Sequence, residues 1–489
     1  MELTQLINSV KTIQVIGEVQ RKDVSGIYYD SRKVQKNSVF VAIKGYKTDG
    51  HHFILDAINK GAIAIILEDN LSVPDEIFIH DKIAKILVSN CRIALAEISN
   101  SFFKEPSKKI KLIGITGTNG KTTTSYFVKS ILENVGLNVG LVGTIANYIG
   151  EKEIKSSMTT PESSDLNELI FEMINEKCSH AVMEVSSHSL ALSRVYDLNF
   201  SAAIFTNLTL DHLDFHQNFE NYLNAKKILF DSLNESAFGI FNLDDANSRR
   251  LISNSKAKLF SFGTKIDADF LLKDIKYDLN GTSFVIEHNK KNYNASTSLV
   301  GEFNAYNAIA AFAATSLLGV DKEKAIEGIR KTKQVPGRFE VIGAGCKKII
   351  VDYSHTPDSL EKALNAIRKI VKDEHPIYTV FGCGGNRDKS KRPLMGKIAS
   401  DQSKLAIVTS DNPRFEEPFQ IIEEIKSGIG KNNYKVIESR EEAIQFAIQN
   451  SEEDAVILIA GKGHENYQEN QGVIKHFSDK EIAEKFLQI

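Results

Sequence analysis

Apolar positions along this chain switch repeatedly between two rhythms. Short continuous apolar runs, "SVFVAI" and "AIAIIL" among the first, carry the β-branched residues of buried strands. Polar turns such as "KGYKTDGHH" separate them, so the first 89 residues predict a small α/β unit. After a helix expected over "SNCRIALAEISNSFF" the alternation becomes regular. "KLIGIT", "HAVMEV", "AAIFTN" and "FGIFNL" read as strands, and "SYFVKSILENVG" and "YLNAKKILF" read as helices. Such alternation predicts a mostly parallel sheet covered by helices. "FLLKDIKYDLNGTSFVIEHN" places two β-like runs around an Asn-Gly turn, a hairpin appended to that sheet. From "VPGRFEVIG" the rhythm restarts, with strands at "KIIVDYS", "IYTVFG", "LAIVTS" and "AVILIAG" and helices from Asp358, Pro393 and Glu417. The expected fold class is α/β in three domains, 1–89, 90–335 and 336–489, the last a Rossmann-like unit.

The candidate chemistry begins at "GITGTNGKTTT", residues 114–124, between an expected strand and an expected helix. Strand, glycine loop and helix is the arrangement that holds phosphates: backbone N–H groups at the helix start face the anion, Lys121 neutralises β/γ charge, and the Thr122 hydroxyl can ligate Mg2+. The first glycine of G-x-x-x-x-G-K-[ST] is out of place, since Ile115 stands five before Gly120. A bare glycine turn with a surface lysine is the bland alternative. The central domain is therefore expected to be a phosphate-loop nucleotide-binding domain.

A phosphate loop alone permits kinases, switches and ligases, so the acceptor must be read from other segments. Glu184 ends one expected strand, and Asp211 and His212 follow another, both at the carboxyl edge of the sheet where ligands bind. Ser187 and His188 resemble a serine nucleophile, but no G-x-S-x-G elbow surrounds them. His212 and His216 imitate a zinc pair without H-E-x-x-H. In "NYLNAKKILFDSL", Lys226 shares the apolar stripe of a helix with Tyr222, Leu223, Leu229 and Phe230. A buried amine there would be neutral and able to form a carbamate with carbon dioxide; the alternatives are snorkelling to the surface or pairing with a carboxylate.

Composition narrows the class. At 489 residues about three domains are expected, and a formal charge of −3 argues against a nucleic-acid binder. Four well-separated cysteines form no C-x-x-C pair, which fits a reducing compartment. The longest apolar run, "GAIAIILE", is far short of a membrane span, and a cytoplasmic protein is expected.

Taken together, "GTNGKTTT", "TTPES", "MEVSSHSLALSRV", "FTNLTLDHLDFH", "AKKILF", "GEFNAYNAIAA", "VPGRFE", "DYSHTPDSL", "FGCGGNRDKSKRPLMG", "SDNPRFEEP" and "AGKGHENYQ" resemble the Mur ligase family, in order and over nearly the whole chain, including the N-terminal "YDSRKVQKNSVFVAIKGYKTDGHHFI". The resemblance implies an ATP-dependent amide ligase of cytoplasmic peptidoglycan synthesis. The D-glutamate carboxylate of a UDP-N-acetylmuramoyl dipeptide becomes an acyl phosphate, and the amine of meso-2,6-diaminopimelate displaces phosphate. It implies ATP and Mg2+ as cofactors, small-molecule substrates as the only partners, and a monomer.

Site residues follow from the resemblance position by position. Catalysis and metal binding fall to Lys121, Thr122, Glu184, His212 and Lys226, the last as its carbamate. ATP contacts fall to Gly117, Thr118, Asn119, Gly120, Lys121, Thr122 and Thr123, with Asn304 and Asn307 at the adenine and Arg338 and Asp352 reaching the nucleotide from the third domain. Asn304 could instead cap a helix, and Asp352 could merely end a strand. Tyr29, Ser31, Tyr46, Lys47 and Thr48 match the uridine-nucleotide site of the first domain. Thr159, Thr160, Ser186 and Arg194 match residues that hold the muramoyl dipeptide.

Arg387, Asp411, Asn412, Pro413, Arg414, Gly461 and Glu465 match the diaminopimelate site. Diaminopimelate has a distal carboxylate that lysine lacks, and Arg414 supplies the cation to read it. Leu192 and Asn386 depart from the family pattern, as does Ser354 in a small way. A lysine-adding ligase is the alternative within the family, and a phosphate-loop kinase is the alternative from another class. A folylpolyglutamate synthase would lack the N-terminal "DSRKV" unit, and a GTPase would need an N-K-x-D motif, which is absent.

Overall fold

The computed structural model describes residues 1–19, 21–45, 48–343, 347–371 and 374–487. The chain divides into two compact units, Met1–Leu271 with Ile309–Ala325, and Leu272–Ala308 with Ile326–Ile489.

In the first unit, residues from the N-terminus to Val88 build a five-stranded sheet in the order Thr12–Ile16, Ala84–Val88, Ala62–Leu67, Ser38–Val41, Ile27–Tyr28. All pairings are parallel except that of Thr12–Ile16 with Ala84–Val88. Every residue of Ala62–Leu67 is buried, as expected for a parallel strand covered on both faces. The helix Cys91–Phe102, capped by the Asn90 side chain on the N–H groups of Arg92 and Ile93, leads into the strand Lys111–Thr116.

Lys111–Thr116 is central to a second sheet. His180–Glu184 and Phe200–Phe205 flank it in parallel, with Val139–Val142 beyond the former and Phe238–Asn242 and Lys258–Gly263 beyond the latter. The helices Lys121–Asn134 and Phe219–Asp231 are the expected ones, and a third, Ser163–Asn175, was not expected from the sequence. Two short antiparallel strands at one edge, Ala146–Ile149 and Lys152–Lys155, were not expected from the sequence.

In the second unit, Gly281–His288 follows the Asn-Gly turn as expected, and a further strand, Lys291–Thr297, pairs antiparallel with it. The main sheet runs Glu340–Ile342, Lys348–Asp352, Val456–Ala460, Ile377–Phe381, Leu405–Val408, Tyr434–Val436, parallel apart from its first strand. The helix expected from Pro393 begins at Lys391, and the others, Pro357–Val371 and Pro418–Lys426, start within a residue of expectation. The apolar core lies on both faces of this sheet, with Ile350, Leu364 and Met395 on one side and Val351, Ile444 and Ile457 on the other. Val456–Ala460 lies between Lys348–Asp352 and Ile377–Phe381 and parallel to both, so the loops that follow these three strands share one carboxyl edge, where ligands of such sheets bind. Among the described residues, no helix is long and apolar enough to cross a membrane.

Candidate functional site

In the first unit the phosphate loop joins Lys111–Thr116 to the helix Lys121–Asn134. Gly117 has φ 149°, and a Cβ there would lie 2.0 Å from Thr206 Oγ1, so only glycine lets the loop approach the neighbouring strand end. That strand end braces the loop: Thr206 Oγ1 donates to Asn119 O at 2.7 Å, and Asn119 N donates to Asn207 Oδ1 at 3.0 Å. Thr118 Oγ1 donates to Thr209 O and lies 3.0 Å from Tyr222 Oη. Lys121 Nζ arches back over the loop onto Gly117 O at 2.9 Å and Thr118 O at 2.8 Å. Gly120 precedes the first helical turn, in which Thr122 and Thr123 are buried.

Glu184, 1% exposed at the end of its strand, is reached by three donors. Thr122 Oγ1 donates to Oε2 at 2.9 Å, Thr144 Oγ1 donates to the same oxygen at 3.0 Å, and Thr144 N donates to Oε1 at 2.8 Å. Thr144, which also lies 3.0 Å from Thr159 Oγ1, was missed by the sequence reading. Thr122 and Glu184 offer hard oxygen donors side by side, the ligand type that suits Mg2+.

Lys226 is 1% exposed, so the alternative of snorkelling to the surface is excluded. Its Nζ donates to Gly117 O at 2.8 Å and lies 4.6 Å from the centre of the Tyr222 ring. Burial holds this amine well below the ordinary lysine range; the neighbouring Lys121 lowers it further, and Asp211 opposes. A lysine nitrogen offers no oxygen ligand, so Lys226 would add an oxygen donor here only as its carbamate.

His212 has the left-handed φ of 53°, and its Nε2 is 3.5 Å from Asp211 Oδ2. Burial lowers its pKa, with Lys121 and Lys226 adding and Asp211 opposing. Its ring stands edge-on to His188, whose pKa burial pushes down to about 4. The buried His216 also packs its ring 5.5 Å from that of His188, and its Nε2 meets Ser187 Oγ at 2.9 Å. His216 thus has Ser187 as its hydrogen-bond partner. Among the described residues no group of three or more His, Cys, Asp or Glu side chains is placed to hold a metal ion.

Around the expected dipeptide site, Thr160 Oγ1 donates to Glu184 O at 2.9 Å and to Ser186 Oγ at 3.3 Å. Ser186 caps the short helix Ser187–Ala191. Arg194 donates from Nη1 to Thr160 O at 3.0 Å and pairs through Nε with Glu162 Oε1 at 2.9 Å. Glu162 also pairs with Arg92 at 3.4 Å, a link the sequence did not announce. Tyr29 Oη donates to Asp165 Oδ2 at 2.6 Å; burial, then this bond, pushes the phenol pKa up. Ser31 is buried beside Lys60, whose Nζ donates to Ser31 O at 2.9 Å. Thr48 is exposed, and Tyr46 and Lys47 lie outside the described residues.

In the second unit, Asn304 and Asn307 are buried on the first turns of the helix Glu302–Leu317. Asn304 Nδ2 donates to Val300 O at 2.9 Å, and Asn307 Nδ2 donates to Asn304 Oδ1 at 3.1 Å. Asp352 Oδ2 accepts from Phe339 N at 2.7 Å, and its other oxygen accepts from Ser354. The Arg338 guanidinium lies 4.9 Å from the Tyr353 ring centre.

The expected amino-acid residues gather at the carboxyl edge of the main sheet. Asp411, Asn412 and Pro413 are buried, and Asn412 Nδ2 donates to Glu465 Oε2 at 2.9 Å. Gly461 has φ 119°, and a Cβ on it would stand 2.6 Å from Asp411 Oδ2. Burial raises the Glu465 pKa, while Lys462 opposes. Arg414 adopts φ 54°, donates from Nη1 to Gly385 O at 2.9 Å, and has Nε 3.5 Å from Glu469 Oε2. Arg387 is exposed nearby on the loop after Ile377–Phe381. Cys383 is buried with its thiol pushed up to about 12, which fits packing rather than a nucleophile.

Three family models match the chain in order: "Mur ligase family, catalytic domain" over 23–103, "Mur ligase middle domain" over 115–315, and "Mur ligase, glutamate ligase domain" over 337–463. The chain is 44% identical to UDP-N-acetylmuramoyl-L-alanyl-D-glutamate--2,6-diaminopimelate ligase 1 of Clostridium acetobutylicum, over 100% of its own length and 99% of the relative's. It is 42% identical to the ligase of that name from Alkaliphilus metalliredigens, over 99% and 97%. A solved structure of a UDP-N-acetylmuramoyl-L-alanyl-D-glutamate--2,6-diaminopimelate ligase superposes with a TM-score of 0.71 at 31% identity, covering 100% of this chain and 99% of that one. A phosphate loop braced by Thr206 and Asn207, an acid at the neighbouring strand end and a buried lysine beneath it therefore sit in a chain that belongs to the Mur ligase family.

Proposed function

We propose that this chain joins meso-2,6-diaminopimelate to UDP-N-acetylmuramoyl-L-alanyl-D-glutamate at the expense of ATP, through an acyl phosphate, in the cytoplasm and as a monomer. Three domains share the work: 1–89 with Tyr29, Ser31, Tyr46, Lys47 and Thr48 receives the uridine nucleotide, 90–335 activates the carboxylate, and 336–489 supplies the amino acid. One observation carries the choice of amino acid. The loop that holds Arg414 also presents Asp411 and Asn412, with Glu465 bonded to the latter, so a guanidinium and a buried acid–amide group stand together in one unit. A diamine with a second carboxylate matches both.

The phosphate loop positions the triphosphate by its N–H groups, and Lys121, already poised over the loop, offsets the β/γ charge. Thr160, Ser186 and Arg194 orient the dipeptide so that its D-glutamate carboxylate attacks the γ-phosphate. ADP leaves, and the amine of diaminopimelate attacks the acyl carbon and expels inorganic phosphate. Activation turns a poor leaving group into a good one, and positioning supplies much of the rate. Thr122 and Glu184 would hold Mg2+, and His212 with carbamylated Lys226 a second ion; bound metal supplies positive charge against crowded phosphates. Asn304, Asn307, Arg338 and Asp352 complete the nucleotide contacts in this reading.

A phosphate-release assay tests it. Phosphate and a new amide are expected only when ATP, the UDP-dipeptide and meso-diaminopimelate are present together, with lysine and ornithine far poorer. Lysine used as well as diaminopimelate would favour the lysine-adding alternative, and a phosphorylated product without amide would favour a kinase.

A further inference from the structure

The loop after Val456–Ala460 holds a side chain with no part in the chemistry above. Lys462 is 0% exposed, and its Nζ donates to Asn412 Oδ1 at 2.9 Å and to Tyr467 O at 2.7 Å. The carboxylates of Asp411 and Glu465 stand 3.6 and 3.9 Å from it. Burying an ammonium is unfavourable unless its partners compensate, so a position that needed only packing would be better filled by an apolar residue. The contacts must account for the charge.

Asn412 accounts for it. Its Oδ1 also accepts from Glu469 N at 3.0 Å, while its Nδ2 donates to Glu465 Oε2 at 2.9 Å. An amide has one accepting end and one donating end. With an ammonium and a backbone N–H on one side and a carboxylate on the other, the flipped amide would set donor against donor and acceptor against acceptor. Lys462 makes that flip costly. It also places one positive charge between two carboxylates, which leaves Asp411 and Glu465 as an anionic pair with charge to spare for an incoming ammonium.

We propose that Lys462 is a positioning residue for the amino-acid substrate: it locks the Asn412 amide and holds Asp411 and Glu465 as the anionic seat for the ammonium group of diaminopimelate. This rests on the substrate proposed above. The Lys462→Met variant of the full chain is expected to raise KM for meso-diaminopimelate about tenfold while kcat and the KM values for ATP and the UDP-dipeptide stay within about twofold. Because Lys462 acts through Asn412, Lys462→Met added to Asn412→Ala is expected to raise that KM by much less than it does alone. An unchanged KM for diaminopimelate, additive effects, or equal shifts in all three KM values with a fall in melting temperature would overturn the proposal.

If Lys462→Met does not fold, Lys462→Gln, which keeps an N–H for Asn412 Oδ1, is expected to show the same selective rise to a smaller extent. Failure of both to fold would make Lys462 a residue of the fold alone and overturn the proposal. Wild-type enzyme that forms no amide with meso-diaminopimelate would refute the substrate reading instead, before any variant is measured.

Discussion

The Thr122 hydroxyl donates to the Glu184 carboxylate at 2.9 Å, tying the first turn of the phosphate-loop helix to the end of the neighbouring strand. Sheet register creates the contact, because parallel pairing sets Glu184 opposite Ile115, two residues before the loop glycine Gly117. Helix start and strand end thus present two hard oxygen ligands at one edge.

Glu184→Gln keeps the shape and one accepting oxygen but removes the anion. We expect kcat to fall about 100-fold or more and the Mg2+ concentration for half-maximal phosphate release to rise. A magnesium titration of both enzymes measures this. An unaltered requirement would place the metal away from Glu184.

Lys226 is held beneath the loop by its bond to Gly117 O, and burial favours its neutral form, which reacts with carbon dioxide. Lys226→Ala is expected to lose about 100-fold or more in kcat. A short carboxylic acid added to the assay should restore part of the rate by supplying the missing anion. Full activity of the alanine variant would eliminate the carbamate.

How much of this was legible in the sequence differs from residue to residue. The place of Lys121 and Thr122 at a helix start and the burial of Lys226 were readable because a glycine loop and a helical stripe are local patterns. Thr144 was not: it meets Glu184 only because Val139–Val142 pairs with His180–Glu184, and sheet order has no local signature. The strand Lys291–Thr297 escaped notice because only Tyr293, Ala295 and Thr297 are buried, in a segment rich in Lys and Asn. Lys462 stands between Gly461 and Glu465 in a recognisable motif, yet nothing in its spacing announces a buried ammonium. The same limit applies to Glu162, whose two arginine partners lie 70 and 32 residues away along the chain.

An acid-sensitive support lies under the amino-acid loop. Glu416 accepts from Arg392 Nη1 at 3.0 Å and Nη2 at 3.1 Å, and from Asn386 N at 2.5 Å. The Arg392 bonds lead in holding its pKa down to about 2 from an ordinary 4.5, against burial. A carboxyl depressed on folding stabilises the protein fully above its unfolded pKa and loses that contribution as pH falls through the folded one. The advantage of the wild type over Glu416→Gln should therefore be complete above about pH 5 and shrink steadily toward about pH 2. Melting temperatures of both proteins across that range check it, and a gap independent of pH would refute the assignment.

Arg414 decides the amino acid in the proposed reaction. Its left-handed backbone, its bond to Gly385 O and its approach to Glu469 fix the guanidinium through Nη1 and Nε, and a fork with five N–H donors keeps capacity for a carboxylate. Arg414→Ala removes that partner for the distal carboxylate of diaminopimelate and nothing that ATP touches. A lost hydrogen bond to a charged group is worth about 1.5–3 kcal/mol, so KM for meso-diaminopimelate should rise roughly 10- to 150-fold with KM for ATP unchanged. Arg414→Lys should recover little, because a point charge does not reproduce the fork. Lysine has no distal carboxylate to lose, so its poor use should change far less and the preference for diaminopimelate should narrow. Equal rises in both KM values would mean that Arg414 supports the unit as a whole and that selectivity arises elsewhere.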